Sequence, residues 1–323
     1  MSASAHTPGE LPDELVAFSR ERIEKGSKSF AVAAKLFEPD TRASAYMLYA
    51  WCRHCDDVID GQTLGYNQSA KDGPVGEAAL SLVRELEEKT SAACAGHADE
   101  PVFQALSVVC AKHSIPEKYP LDLIAGFQMD AEVHNYQTID DTLLYCYHVA
   151  GVVGVMMAMV MGVKERAVLD RACDLGLAFQ LTNIARDIVA DHEVDRIYLP
   201  EDWLATAGLT KNNMAKPENR SQLSTVADRL LDTAEPYYKS AMHGLPHLPW
   251  RSAWAVAVAL KVYRAIGLKV RQRGAAAWDN RTSTSTMAKL GGVGSGLGLT
   301  MASRFSKNGH LKSPRTGLWT MPD

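Results

Sequence analysis

Alternation of apolar and polar side chains is almost missing from this sequence of 323 residues. That excludes a sandwich, a barrel or a doubly wound sheet as the main architecture. Strong charge of either sign is missing too. Lys+Arg 34 against Asp+Glu 38 leaves a net charge of −4, too weak for general binding of nucleic acid. No period of about 20 to 50 residues recurs, which disfavours a solenoid. The opening MSASAHTPGE has neither a charged n-region nor an apolar h-region, so secretion is not expected. The longest apolar run, VAGVVGVMMAMVMGV (Val149 to Val163), falls short of the roughly 20 residues a bilayer requires and is closed by Lys164-Glu165-Arg166. It reads as a buried core helix whose glycines and methionines suit a wall for a long flexible ligand. Cysteine is sparse, six in all, and the one CxxC (Cys52, Cys55) has no partner pair at zinc-ribbon spacing and no strand before it. Buried helix packing in a reducing, cytoplasmic compartment is the expectation for these thiols. GGVGSGLG near the C-terminus contains neither GxGxxG nor GxxxxGK[ST], so it predicts no nucleotide loop.

What remains is helical. At 46% hydrophobic and 22% charged, the chain has material for a sizeable core. Apolar residues at helical spacing predict helices over Pro12–Lys25, Pro39–Ile59, Val75–Ala95, Pro101–Lys112, Glu117–Asn135, Asp140–Val163, Lys164–Ala190, Arg220–Met242 and Ser252–Arg273. Gly61 to Gly73 reads as a loop. The expected organisation is one all-α domain over residues 1–290, followed by a flexible Gly/Ser-rich and basic tail over 291–323.

Against this background CRHCDDVID (residues 52–60) stands out, with three acids following an apolar stretch. On a helix Asp56 and Asp60 share a face, while Asp57 points roughly 100° away. Like charges so placed destabilise an isolated helix, so arginine or a divalent metal is expected to offset them. The spacing recurs in QLTNIARDIVAD, where Asp187 and Asp191 repeat the pair. Gln180, Asn183, Asp187 and Asp191 form a polar stripe along a largely apolar helix, and a buried stripe must be satisfied. Two such helices facing each other would make a joint cation site. No Glu-x-x-His is present to support a di-iron bundle. Oxygen-only ligands select Mg²⁺ or Mn²⁺, which are completed by substrate phosphates. Four carboxylates and one diphosphate call for about three such ions or added arginines.

With these stretches in view, the chain resembles the squalene/phytoene synthase family, and within it most closely the bacterial phytoene synthases. The resemblance runs from about Ser19 to Leu290 and rests on SKSF (Ser27 to Phe30), LYAWCRHCDDVID, YCYHVAGVVG (Tyr145 to Gly154), QLTNIARDIVAD and RIYLP (Arg196 to Pro200), in that order. It implies an all-α isoprenoid-synthase bundle around a central apolar cavity. It also implies head-to-head condensation of two geranylgeranyl diphosphates through a cyclopropyl diphosphate to phytoene. Asp56, Asp60, Asn183, Asp187 and Asp191 would hold Mg²⁺ or Mn²⁺, and no NADPH is expected. Ser27, Phe30, Arg53, Gln180, Asn183, Arg186, Arg196 and Tyr198 would bind substrate, with arginine forks suited to phosphate oxygens. Tyr49, Tyr147 and Tyr263 would shield cationic intermediates with their π faces.

Two positions depart from the family pattern: Ala190 stands where another acid is common, and Asp195 where glycine is usual. Squalene or dehydrosqualene synthesis from farnesyl diphosphate is the alternative within the family. A terpene cyclase, or a non-catalytic helical partner protein, lies outside it. A hydrocarbon product also suggests peripheral membrane contact, through the acid-free basic stretch from Arg251 to Arg273 (Lys261, Arg264, Lys269, Arg271) and through Arg304, Lys307, Lys312 and Arg315. Downstream carotenoid enzymes would be the other partners.

Overall fold

The computed structural model describes residues 11–26, 33–61, 76–280, 282, 286–305 and 314–322. Among the described residues twelve α-helices, one π-helical turn and three short 3-10 turns account for the regular structure, and no strand occurs. In chain order the α-helices are α1 (Asp13–Gly26), α2 (Pro39–Asp60), α3 (Glu77–Cys94), α4 (Pro101–His113), α5 (Lys118–Ala131), α6 (Ile139–Cys146), α7 (Val152–Val160), α8 (Arg166–Glu193), α9 (Glu201–Thr206), α10 (Arg220–Met242), α11 (Trp250–Arg273) and α12 (Thr286–Phe305). They gather into two compact units, Met1–Ala131 with Met159–Gly162, and Glu132–Ala158 with Val163–Asp323. Composition had suggested a single domain to residue 290.

In the first unit α2 is the centre, packed by α1, α4 and α5, with α3 closing on α4 and α5. Pro39 opens α2 in its first turn, where its missing N–H goes unneeded. Gly61 ends it at φ +62°, donating its N–H to the Asp57 carbonyl. Met47, Leu48, Trp51 and Cys55 point inward and are fully or almost fully buried.

In the second unit the 28-residue α8 is the axis, against which α10, α11 and the end of α6 are laid. Thr138 and Asp141 form a capping box that starts α6, with the Thr138 N–H donating to Asp141 Oδ2 at 2.8 Å. Between α6 and α7 the helix widens into one π-helical turn, Tyr147–Gly151. The continuous run Ile139–Val160 is 22 residues, longer than the apolar count alone suggested, and passes for a membrane span by length and composition. More than half of its most apolar window is buried within the protein. Its glycines serve helix packing. A Cβ at Gly154 would lie 2.4 Å from the Ala172 carbonyl oxygen, and one at Gly176 2.3 Å from that of Ala150. The backbones touch there, so these glycines seat α8 against the π-helical turn and the start of α7.

The tail also differs from its compositional reading. Residues expected to be flexible form α12, which packs on α11. A Cβ at Gly296 would stand 2.7 Å from Val258 Cγ2, so the small residue lets the helices close. Further on, residues 314–322 are fastened to the second unit. Arg315 reaches the fully buried Asp174 through two bonds, Nε to Oδ2 at 2.9 Å and an Nη to Oδ1 at 2.7 Å. Trp319 donates its backbone N–H to the Tyr237 hydroxyl at 3.0 Å, and its ring lies 5.2 Å from that of Tyr147.

Candidate active site

Both acid pairs occupy the last two turns of their helices. Asp56 and Asp60 close α2, and Asp187 and Asp191 close α8. The helix macrodipole is negative there, so carboxylates lose stability and a cation gains it. No basic residue stands in the last turn of α2 to compensate. The answer in the first unit is Arg53. Its Nη1 donates to Asp56 Oδ2 at 2.6 Å, and its Nε lies 3.1 Å from Asp57 Oδ1. Asp57, expected to stand apart, is the more buried of the two, at 6% side-chain exposure against 39% for Asp56. Asp57 is thus a buried ion-pair partner of the arginine, while Asp56 accepts its hydrogen bond and is the more accessible carboxylate. Tyr49 stands in the same electrostatic neighbourhood. Burial pushes its hydroxyl up to about 12, with Arg53 opposing and Asp56 and Asp57 adding to the shift. Asp60 follows Asp56 by one turn and is half-buried.

The second unit repeats the device. Arg186 grips Asp187 with both ends of its fork, Nε to Oδ1 at 2.9 Å and an Nη to Oδ2. Burial alone would lower the pKa of Arg186, but Asp187, Tyr263 and Asp191 together raise it, so the guanidinium stays charged. One turn earlier Asn183 donates to Gln180 Oε1 at 3.3 Å. Asn183 Oδ1, in contrast, is buried and has no hydrogen-bond partner. A buried carbonyl oxygen left open beside Asp187 is the type of donor a hard divalent cation takes up. The expected stripe of Gln180, Asn183, Asp187 and Asp191 is thus present and half-buried along α8.

Arg196 is tied to the end of that helix by its backbone N–H, which donates to the Asp191 carbonyl at 2.9 Å. Asp195, just before it, is held at φ +60°, the left-handed region that explains a usual glycine. Tyr263 stacks on Phe179 at 4.1 Å between centroids, one residue before Gln180. Tyr198 is buried, and its ring stacks on Tyr145 at 4.5 Å with Tyr136 edge-on to both.

The structure brings Tyr49, Arg53 and Asp56 together in one unit, and Gln180, Asn183, Arg186, Asp187, Asp191 and Tyr263 in the other. Tyr147 is different: it is fully buried and its aromatic neighbours are Trp319 and His148. Tyr145, two residues earlier in the same motif, is the one beside RIYLP. Residues two apart on a helix face about 200° apart, a distinction the spacing carried. Asp57 and Phe179 were the other omissions, Phe179 being four residues before Asn183 and on its face. Ser27 and Phe30 lie outside the described residues. Among the described residues no three His, Cys, Asp or Glu side chains form a ready-made metal cluster. Each stripe carries only two carboxylates, and arginine occupies the first of each.

Comparison with known proteins decides the family. A family model described as squalene/phytoene synthase matches residues 23–288. The chain belongs to the squalene/phytoene synthase family. Members of this family act on prenyl diphosphates and generally depend on a divalent metal. The chain is similar to the 15-cis-phytoene synthase of Enterobacter agglomerans, at 55% identity over 93% of this chain and 100% of that one. It is 53% identical to the 15-cis-phytoene synthase of Pantoea ananas, over 95% of this chain and 98% of that one. Among solved structures, a dehydrosqualene synthase in complex with ligand superposes with a TM-score of 0.78 at 28% identity, covering 90% of this chain and 98% of that one. A squalene synthase from Alicyclobacillus acidocaldarius, at 24% identity and a TM-score of 0.71 over 82% and 97% of the two chains, supports the isoprenoid-synthase helical fold. Both agree with the all-α fold read from the sequence of this family member.

Proposed function

We infer that this chain is a 15-cis-phytoene synthase, joining two geranylgeranyl diphosphates head to head and releasing diphosphate. The observation that carries this reading is the identity above 50% with phytoene synthases over nearly the whole of both chains. The duplicated acid–arginine arrangement fits the chemistry. Each DxxxD pair, with Asn183 in the second, is proposed to bind Mg²⁺ or Mn²⁺, about three ions in all when diphosphate is present. Held there, such cations would supply positive charge to a departing diphosphate.

The chain's own residues do the rest. Arg196, together with Arg53 and Arg186 once released from their aspartates, turns planar forks to phosphate oxygens. Phe179 and Tyr263, stacked face to face, present a π surface beside Arg186 that stabilises an allylic cation. The second substrate's double bond attacks that cation, and loss of a proton as the three-membered ring closes gives a cyclopropyl diphosphate. A second ionisation, rearrangement and loss of a proton complete phytoene. Water must be kept from the cation, which it would otherwise trap as an alcohol. The last step loses a proton and takes up no hydride, so NADPH is not required. Squalene synthesis would need it. Incubation of the purified protein with geranylgeranyl diphosphate and Mg²⁺ should give the same product with and without NADPH. A product two hydrogens richer when NADPH is added would overturn the assignment.

We also propose that the protein works in the cytoplasm as a peripheral membrane protein, passing its hydrocarbon to downstream carotenoid enzymes. Two arginines of the basic stretch are engaged by acids of the protein itself. Arg264 forms a two-bonded pair with Glu235, and Arg271 binds Asp228 and Asp232. Arg315 is held by Asp174, and Lys307 and Lys312 lie outside the described residues. Support comes instead from the end of the α11–α12 pair, where Trp250, Met301 and Phe305 are exposed. Arg304 lies over the Trp250 ring while donating to the carbonyls of Pro246 and Leu248. Aromatic and apolar side chains among cations suit an interfacial contact. Sedimentation with anionic vesicles should fall at least threefold in the triple variant Trp250→Ser, Met301→Ser, Phe305→Ser. Equal sedimentation would sink this contact.

A further inference from the structure

We propose that Cys94 and Cys110 form a reversible disulfide, a modification site for small-molecule disulfides of the glutathione type. The CxxC that draws attention in the sequence is not the pair. Cys52 and Cys55 lie within α2, and burial pushes both thiols up, Cys52 to about 12. Burial does the same to Cys146 and Cys173. These four are poor nucleophiles, because the thiolate is the reacting species.

Cys94 and Cys110, 16 residues apart in sequence, face each other where α3 packs on α4, with their Sγ atoms 4.0 Å apart. No other two cysteine sulfurs stand in contact among the described residues. Cys94 is the last residue of α3 and half-exposed, whereas Cys110 sits buried inside α4. The asymmetry assigns the roles. The outer sulfur can be reached by a dissolved disulfide, and the inner one is shielded until a mixed disulfide has formed beside it. The two sulfurs share one hydrogen bond, in which either can donate, and that contact together with burial raises the pKa of the inner Cys110. A sulfur separation of 4.0 Å must shorten to about 2.05 Å, a change that side-chain rotation at a helix terminus can supply.

The chemistry balances in two exchanges. The Cys94 thiolate attacks one sulfur of the external disulfide, breaking its S–S bond and expelling one thiolate. Cys110, giving its proton to solvent, then attacks the Cys94 sulfur and expels the second. Two cysteine thiols are oxidised by two electrons and one external disulfide is reduced. The two protons end on the two released thiols. The new bond ties α3 to α4, which in turn packs against the helix carrying Asp56.

The test uses the full chain, equilibrated in a ladder of oxidised to reduced glutathione, quenched in acid, alkylated and mapped by mass spectrometry. The expected product joins the Cys94 and Cys110 peptides, two hydrogens lighter, with the other four cysteines alkylated. The oxidised protein should also melt about 5 °C higher than the reduced one, because a closed loop restricts the unfolded chain. Cys110→Ser should stop at a glutathione adduct on Cys94. Full alkylation of both residues at the most oxidising ratio, a Cys52–Cys55 bond in their place, or a wild-type chain that halts at the Cys94 adduct would each overturn the proposal. The wild-type map is decisive even where a serine variant fails to fold.

Discussion

Asp56→Asn and Asp187→Asn should each lower turnover about 10³-fold at saturating substrate, as expected when several kcal/mol of charge stabilisation on a leaving group are lost. Both aspartates stand in the last turns of helices, where the macrodipole disfavours them, and both are held by an arginine. Asparagine should leave helix content unchanged in both, with the melting temperature nearly unchanged for the more exposed Asp56 and lowered for Asp187, whose loss strips the two-bonded partner from Arg186. Raising the metal concentration should not restore the rate, because an amide oxygen carries no full charge. Asp57→Asn belongs in the same series as a contrast. It loosens Arg53 while sparing the more accessible carboxylate, so its effect should appear in KM for diphosphate substrate more than in kcat. Near-normal turnover by either Asp56→Asn or Asp187→Asn would remove the carboxylates from the mechanism.

The largest stability effect is expected at the other end of the chain. Arg315→Ala should cost about 3 kcal/mol, because it strips the two-bonded partner from a carboxylate with no solvent exposure. Asp174 keeps Ser240, which donates to its Oδ2 and in turn accepts from Arg171 at 2.6 Å. These partners do not replace the lost fork. Burial already raises the pKa of Asp174 above its ordinary value, with Arg315 and Ser240 opposing. The folded state thus holds its proton to higher pH than the unfolded state. Stability associated with this group is greatest below the unfolded pKa and declines as pH rises through the folded one. Removing Arg315 extends that window upward, so the deficit of the variant should shrink as pH is lowered from 7 toward 5. Denaturant midpoints at the two pH values measure it. A deficit that grows on acidification would contradict the buried-pair account.

Much of this was legible in the sequence, for reasons that can be named. The helix expected over Arg220–Met242 has those limits in the structure, and Pro39–Ile59 is one residue short of α2. Long amphipathic periods and first-turn prolines carry that information locally. The six-residue α9 was missed because so short a segment shows no period. The helix α12 was missed because Gly and Ser read as flexibility, whereas Gly296 is small in order to seat on Val258. The acid pairs were visible because like charges four residues apart in an apolar setting have no structural benefit. The partners of those charges were less so. Asp57 pairs with Arg53 from inside the protein, which only the placed side chains show, and Arg315 meets Asp174 across 141 residues of sequence. Likewise the acid-free stretch around Arg264 and Arg271 is neutralised by acids of α10, 29 to 43 residues away. Distances in sequence of that order carry no local pattern.

The most direct test of the account is a competition for carbon-chain length. The purified protein would be given an equal mixture of farnesyl and geranylgeranyl diphosphates with Mg²⁺ and no reductant, and its hydrocarbon products weighed by mass spectrometry. The account predicts a C40 hydrocarbon with the mass of phytoene as the dominant product, formed with release of two diphosphates per molecule. A dominant C30 hydrocarbon, or diphosphate release without any coupled product, would contradict it.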